Sequence, residues 1–355
     1  MQKLALLAGL CLIAAQPGST ARLVCQYASH SDLRDGTSQF HIADIDGDLC
    51  THLIYSSVCI DSLFNISATA TQLQNFGAFT ALSGPKLKKI LDVNLMVEKA
   101  IVQNMMATSA NRDAFIMSAV SFLRTHQFDG INILWVNENK QDNKALYTSL
   151  IEEFRVKMDA ESLASGKAAL LLTASVAAQI PAIEWSYEVP QIAAAVDFLN
   201  VRTSDVDFPT ATPSFSTPTA SFNMAATSMQ YWEFKGAPAA KLNMGIGVFG
   251  EVFTVDARGN VEPLKGSLSD VPPGLWARYE VCSLLGRSAA PHLWIAFDNK
   301  AAIDAKVNYI VNNSYGGAFV MSVDLDDFNG NSCNNANDLN GPYPVITHLH
   351  KQLAN

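Results

Sequence analysis

The chain has 355 residues, 49 % of them hydrophobic, and carries a net charge of −9 from 24 basic and 33 acidic side chains. That balance argues against nucleic acid or an anionic membrane surface as partner, because both need a basic face. The six cysteines include no CxxC pair and the seven histidines are scattered, so the sequence points to no zinc-ribbon spacing, no metal site and no cofactor.

In chain order, the first feature is Met1-Gln2-Lys3, an apolar run from Leu4 to Ala15, and the small residues Ser19-Thr20-Ala21. One basic residue, a short apolar stretch and a small-residue exit read as a secretory signal peptide over residues 1–21. The run is shorter than the roughly 20 apolar residues a bilayer span takes. The mature chain is then expected to start near Arg22 and to be secreted and extracellular. No later run is long and apolar enough for a membrane span.

From there, short apolar runs rich in branched residues alternate with helical patterns. The runs are Leu23–Tyr27, His52–Ile60, Lys89–Val93, Gly130–Trp135, Ala169–Val176, Phe198–Arg202, Leu242–Phe249 and Gly317–Val323. Between them, Arg112–His126 and Lys144–Glu161 show apolar residues at helical spacing; the second places Leu146, Leu150, Ile151, Phe154 and Met158 on one face. Eight strand-then-helix units predict an α/β fold, a (β/α)₈ TIM barrel filling residues 22–355. Asp205–Ser221, rich in Pro, Thr and Ser, reads as a long loop at a strand's carboxyl end, where barrel enzymes build their sites. About 251–299, between the seventh and eighth strands, short strand-like runs with Gly and Pro turns predict a small α+β insertion subdomain.

Once Cys11 leaves with the signal, Cys25, Cys50, Cys59, Cys282 and Cys333 remain. An odd count in a secreted chain means two bridges and one free thiol, or an intermolecular link. Asn65-Ile66-Ser67 and Asn312-Asn313-Ser314 are glycosylation sequons. His348 and His350 stand two apart on a helical pattern and face different directions.

Several segments together resemble the chitinases of glycoside hydrolase family 18. They are Arg22-Leu23-Val24-Cys25-Gln26-Tyr27, Leu49-Cys50-Thr51-His52-Leu53-Ile54-Tyr55, the helix from Asn111-Arg112 into Phe128-Asp129-Gly130, and Gly236-Ala237-Pro238 through Gly245-Ile246 and Phe249-Gly250. Tyr279-Glu280-Val281-Cys282 and Gly316-Gly317-Ala318 through Asp324-Leu325-Asp326-Asp327-Phe328 complete the set. The resemblance covers about Arg22 to Cys333. It implies bridges Cys25–Cys50 and Cys282–Cys333, which leaves Cys59 as the free thiol, expected to behave as a buried small hydrophobe.

The resemblance also implies DGxDxDxE on the fourth strand, the last Glu acting as the acid and the Asp before it orienting the substrate's own N-acetyl group. Here the segment reads Asp129-Gly130-Ile131-Asn132-Ile133-Leu134-Trp135-Val136. Positions two apart share a face of a strand, so the three inward places hold Asn132, Leu134 and Val136. Neither Leu134 nor Val136 can hand over a proton, so the motif predicts no catalysis; the column is expected to pack as ordinary barrel core. Glu138 shares the parity but lies one pleat further, about 6.5 Å away, and reads as a solvated loop residue. The family's stacking aromatics are also replaced, by His30, Ser57, Asn94-Leu95-Met96, Arg202-Thr203-Ser204 and Met321.

Tyr27, Trp135, Arg202 and Asp205 remain as candidate ligand-binding residues. Tyr27 and Trp135 have core packing as the alternative, and Arg202 has a local ion pair with Asp205. No GxSxG elbow, P-loop or HExxH replaces the lost chemistry. The expectation is a secreted non-hydrolytic chitinase-like glycoprotein that binds a glycan such as a chitooligosaccharide weakly, or signals through an extracellular protein. The alternative is an interaction protein whose cleft is filled by Leu134, Val136, Met96 and Met321.

Overall fold

The computed structural model describes residues 21–354 apart from 138–142, 206–217, 287–291 and 334–338. The expected signal peptide falls, but for Ala21, outside the described residues.

Eight parallel strands form the barrel: Arg22–Ala28, His52–Ile60, Lys88–Asn94, Gly130–Leu134, Leu171–Val176, Phe198–Val201, Leu242–Gly247 and Gly317–Met321. Each pairs with the next, and the first pairs with the eighth, so the sheet closes into a (β/α)₈ barrel. Full closure leaves no unpaired barrel edge. Gly130 is required at its place: a Cβ there would stand 2.4 Å from the carbonyl oxygen of Leu171 on the neighbouring strand.

Alternation along each strand sorts the side chains into two cores. Outward residues such as Leu53, Leu91, Ile131, Leu172 and Val320 join the helices in one large buried cluster. Inward, Val24, Ile54, Ile90, Phe198 and Phe319 form a separate plug in the amino-terminal half of the barrel.

The long helix Lys144–Ser165 buries Tyr147, Leu150, Ile151, Phe154 and Met158 against the outer face. It runs past the expected end at Glu161 and stops at Gly166, whose φ of 66° ends helical geometry. Its predecessor starts at Ser109 rather than Arg112, because the Thr108 side chain accepts from the amide of Asn111 and caps the helix there.

The seventh strand is shorter than the apolar run from Leu242 to Phe249. The chain leaves the barrel at Gly247, and Phe249–Val255 becomes the middle of a second, antiparallel sheet with Val261–Pro263, Leu275–Ala277 and Leu293–Phe297. The helix Arg278–Leu285 packs beside it. Two disulfides are present, Cys25–Cys50 and Cys282–Cys333, and Cys59 is free. Cys59 is half-buried rather than buried, because the two-stranded pairing with Ile66–Ser67 only partly covers it. Burial, with the charge of Glu98, raises its thiol pKa and lowers its reactivity. Among the described residues no helix is long and apolar enough to cross a membrane.

Candidate functional site

The carboxyl ends of barrel strands are where the loops of such folds converge on ligands. The fourth strand brings Asn132 and Leu134 inward, with Val136 just beyond its end. Asn132 is buried, but it does not pack as apolar core. Its amide donates to Asp92 Oδ1 at 2.6 Å and to Ser175 Oγ at 3.0 Å, while its oxygen accepts from Thr173 Oγ1 at 2.9 Å. Asp92 stands directly opposite on the third strand and also accepts from Ser56 Oγ at 3.1 Å. The expectation of hydrocarbon packing fails at this position because a neighbouring strand supplies a carboxylate that the fourth strand lacks.

Asp92 is only 2 % exposed. Burial pushes its carboxyl pKa up to about 6, opposed by hydrogen bonds from Asn132 and Ser56 and by the positive charge of Arg202. One pleat higher, Asn94 pairs in register with Leu134. Val136 is half-buried, and its backbone N–H donates to Met96 Sδ at 3.0 Å. With Met96, Leu95, Val102 and Met106 it lines a small cavity of about 70 Å³ rimmed by Lys99 and Gln103. The level above Asp92 thus pairs Asn94 with Leu134, and the end of the fourth strand carries hydrocarbon and thioether at Val136 and Met96. Glu138 lies outside the described residues.

Two of the four candidate ligand-binding residues are withdrawn from the cleft. Tyr27 is fully buried on the outer face of the first strand, its ring 6.1 Å from Phe40, 5.5 Å from Tyr55 and 6.0 Å from Phe79. Trp135 is 5 % exposed, stacks on Tyr147 at 4.6 Å and lines the small cavity. The reason is strand parity. The alternation that turns Asn132 and Leu134 inward turns Trp135 outward, and Tyr27 shares its face with Cys25. Arg202 follows the sixth strand, its amide bonded to the Val176 carbonyl at 3.0 Å. Its charge acts on Asp92 and on Tyr187. Asp205 ends the turn Thr203–Asp205, and its side chain, with the expected ion pair to Arg202, lies outside the described residues.

A clasp holds the second sheet beside the barrel mouth. Arg34, in the loop after the first strand, reaches Asp270 at 2.8 Å and Asp324 at 2.8 Å. The contact to Asp324 is Coulombic rather than a directed hydrogen bond. His30, where the family resemblance expects a tryptophan, contacts the same Asp270 at 3.0 Å. Burial acts to raise the Asp270 pKa, yet the Arg34 hydrogen bond and charge outweigh it and hold it below the usual range. The Asp324–Asp327 run is likewise structural: Asp326 accepts the amides of Val345 and Ile346 at the start of the last helix, and Asp327 those of Ser332 and Cys333.

Asn65 and Asn312 both stand at exposed positions. His348 pairs with Asp304 at 2.6 Å, while His350 bonds the Leu49 carbonyl. Among the described residues no group of His, Cys, Asp and Glu could hold a metal.

The sequence profile described as Glycosyl hydrolases family 18 matches residues 22–326. Mouse chitotriosidase-1 is 31 % identical, over 99 % of this chain and 82 % of its own. Human chitinase-3-like protein 2 is 30 % identical, over 97 % and 95 %. The solved structure of human YKL-39, titled a pseudo-chitinase with retained chitooligosaccharide binding properties, superposes with a TM-score of 0.83 at 28 % identity, covering 94 % of this chain and all of that one.

Proposed function

We propose that this chain, which belongs to glycosyl hydrolase family 18, is a secreted glycoprotein of the chitinase-like kind that does not hydrolyse its ligand. The observation that carries this reading is the fourth-strand column. Asn132 is committed to Asp92 and Ser175, and Leu134 and Val136 have no proton to give where family chitinases carry acids. Asp92, the carboxylate beside the column, is buried one pleat below the level of Leu134 and accepts from Asn132 and Ser56, which does not suit it to the role of a mouth acid. The relatives span both possibilities, one named a chitotriosidase and another described as a pseudo-chitinase, so the reading rests on the residues of this chain. Glycosylation at Asn65 and Asn312 accords with their exposure.

Weak glycan binding at the mouth is the first form of the proposal, by likeness to YKL-39, a pseudo-chitinase with retained chitooligosaccharide binding properties. One observation favours a second form, an extracellular interaction protein that binds no sugar. Tyr27 and Trp135 are turned into the core, and Val136 and Met96 line the fourth-strand end. Stacking of sugar rings needs open aromatic faces.

Two measurements on the secreted protein test these readings. Release of fluorophore from a chitobioside substrate at any rate above buffer overturns the non-hydrolytic assignment. Calorimetric titration with a chitin hexamer separates the two forms: saturable heat supports the lectin, and its absence supports the interaction protein.

A further inference from the structure

The polar contacts of Asn132 continue around the barrel. Asn200 Nδ2 donates to Asn132 Oδ1 at 3.4 Å, Asn243 Nδ2 to Asn200 Oδ1 at 3.0 Å, and Arg22 Nε to Asn243 Oδ1 at 3.1 Å. On the other side Gln26 Nε2 donates to Ser56 Oγ at 2.6 Å, and Ser56 Oγ donates to Asp92. The belt touches seven strands. It begins and ends on the first strand, at Gln26 and Arg22, four residues or about 13 Å apart. The offset follows from the stagger of a closed barrel, in which a path along the hydrogen-bond direction returns to a different residue. The eighth strand contributes no side chain because it opens with Gly317, preceded by Gly316. A Cβ at Gly316 would lie 1.8 Å from Arg22 Nη2, and one at Gly317 1.9 Å from the Arg22 carbonyl.

Direction is fixed from both ends. A guanidinium only donates and a carboxylate only accepts. Arg22 therefore turns the oxygen of Asn243 towards itself and its NH₂ towards Asn200. The same orientation passes to Asn200 and to Asn132, whose NH₂ then meets Asp92. Every dipole along the path points its positive end at Asp92, and bonds in such a chain polarise one another in a low-dielectric interior.

We propose that Arg22, Asn243, Asn200, Asn132 and Asp92 form a polarised relay that keeps one carboxylate ionised inside the barrel and transmits its protonation to the opposite end of the belt. The charged and titratable groups around it are few. Asp92 faces Ser56 from the second strand, Asn132 from the fourth, and the charge of Arg202 after the sixth. Arg22 lies over the Phe198 ring, feels Asp197, and depresses His52 to about 4 together with burial and Lys88. Burial lowers the Arg22 pKa to about 10, so it stays a cation at neutral pH. When Asp92 takes a proton it acquires a donor of its own, and as a neutral acceptor it holds the amides less strongly. The relay is thus a pH-sensitive device built into the barrel wall, independent of whether the mouth binds sugar.

The test follows Asp92 by carbon NMR of the whole chain labelled at the aspartate carboxyl carbon, assigned with Asp92→Asn, from pH 4 to 8. The side-chain NH₂ signals of Asn132, Asn200 and Asn243 and the Arg22 Nε signal are expected to move with the Asp92 midpoint. An Asp92 titration that leaves Asn200 and Asn243 unmoved overturns the relay, and this comparison needs no variant to fold. Arg22→Gln is expected to raise the midpoint by about half a pH unit, about threefold in proton affinity. Lys89→Gln removes a positive charge at the same end of the barrel, outside the belt, and is expected to leave the midpoint in place; equal displacement by both variants shows a through-space field instead and rejects the proposal.

Discussion

Arg34→Met removes the guanidinium from the clasp and keeps much of its hydrocarbon. The Arg34 side chain is 5 % exposed, Asp324 is fully buried and Asp270 is 19 % exposed. Breaking a buried pair from one side leaves the remaining charge desolvated, at a cost of about 3–5 kcal/mol. Asp324 bears most of that, since beyond Arg34 its carboxylate accepts the amide of Ala28 at a long 3.3 Å; Asp270 can relax towards water. With an unfolding entropy of about 2.1 cal/mol/K per residue over roughly 330 residues, the expected fall in Tm is about 4–7 °C. Asp270→Asn, which leaves Arg34 with Asp324, is expected to cost about 1–2 kcal/mol. Urea unfolding at neutral pH measures both. Hydrogen exchange adds the location: Arg34→Met should speed exchange in Phe249–Val255 and Leu275–Ala277 more than in the barrel strands. A loss below about 1 kcal/mol for Arg34→Met, or the two variants costing the same, refutes the view that Asp324 depends on this cation.

The folded-state pKa of Asp92 lies above its unfolded value, at about 6 against 3.8, so the stability from its protonation is present below about pH 4 and lost as pH rises through about 6. Asp92→Asn should therefore be more stable than the parent at pH 7, by up to about 3 kcal/mol, with a shallower slope of urea midpoint between pH 4 and 6; Asp326, also raised to about 6, sustains the remaining slope. A parent-like slope rejects the assignment. Leu134→Asp with Val136→Glu restores two acids but no sugar subsite, and is expected to stay inactive on a fluorogenic chitobioside; turnover would show that the mouth still seats the substrate. Thiol titration of the denatured, unreduced mature chain should count one group, Cys59; none would point to a disulfide-linked dimer.

The barrel was legible because each strand is a self-contained signal. His52–Ile60 and Gly130–Leu134 are runs of branched residues bounded by helical patterns, and burial on both faces of a parallel sheet leaves them nearly continuous. Inward and outward places were legible as well, at the fourth strand, through parity. Carrying that parity to Cys25 and Tyr27, and from Leu134 to Trp135, would have placed both rings outside the barrel. The belt was not legible. Asp92, Asn200 and Asn243 each interrupt a different apolar run by one residue, and nothing within a run says which interruptions meet. Their pairing depends on the stagger between strands, which is a property of the closed sheet. The clasp was hidden for the same reason, since Arg34 and Asp270 are 236 residues apart.

The loss of the acids and the presence of the belt have one physical cause. A column of inward carboxylates on a single strand places like charges a pleat apart, and each raises the proton affinity of the others. Such a stack is costly to keep in a barrel whose lower half is closed by Val24, Ile54, Ile90, Phe198 and Phe319. With Asn132, Leu134 and Val136 on the fourth strand, the carboxylate at that level stands on the third strand instead, where Ser56 and Asn132 donate to both its oxygens. That anion accepts one amide, from Asn132, and one hydroxyl, from Ser56, and burial still penalises it, but it has no like-charged neighbour on the fourth strand. The residues that remove proton transfer from the mouth are therefore the ones that spare Asp92 like-charged neighbours, which is why a restored acid at 134 would meet a buried negative charge one pleat below rather than the environment of a working site.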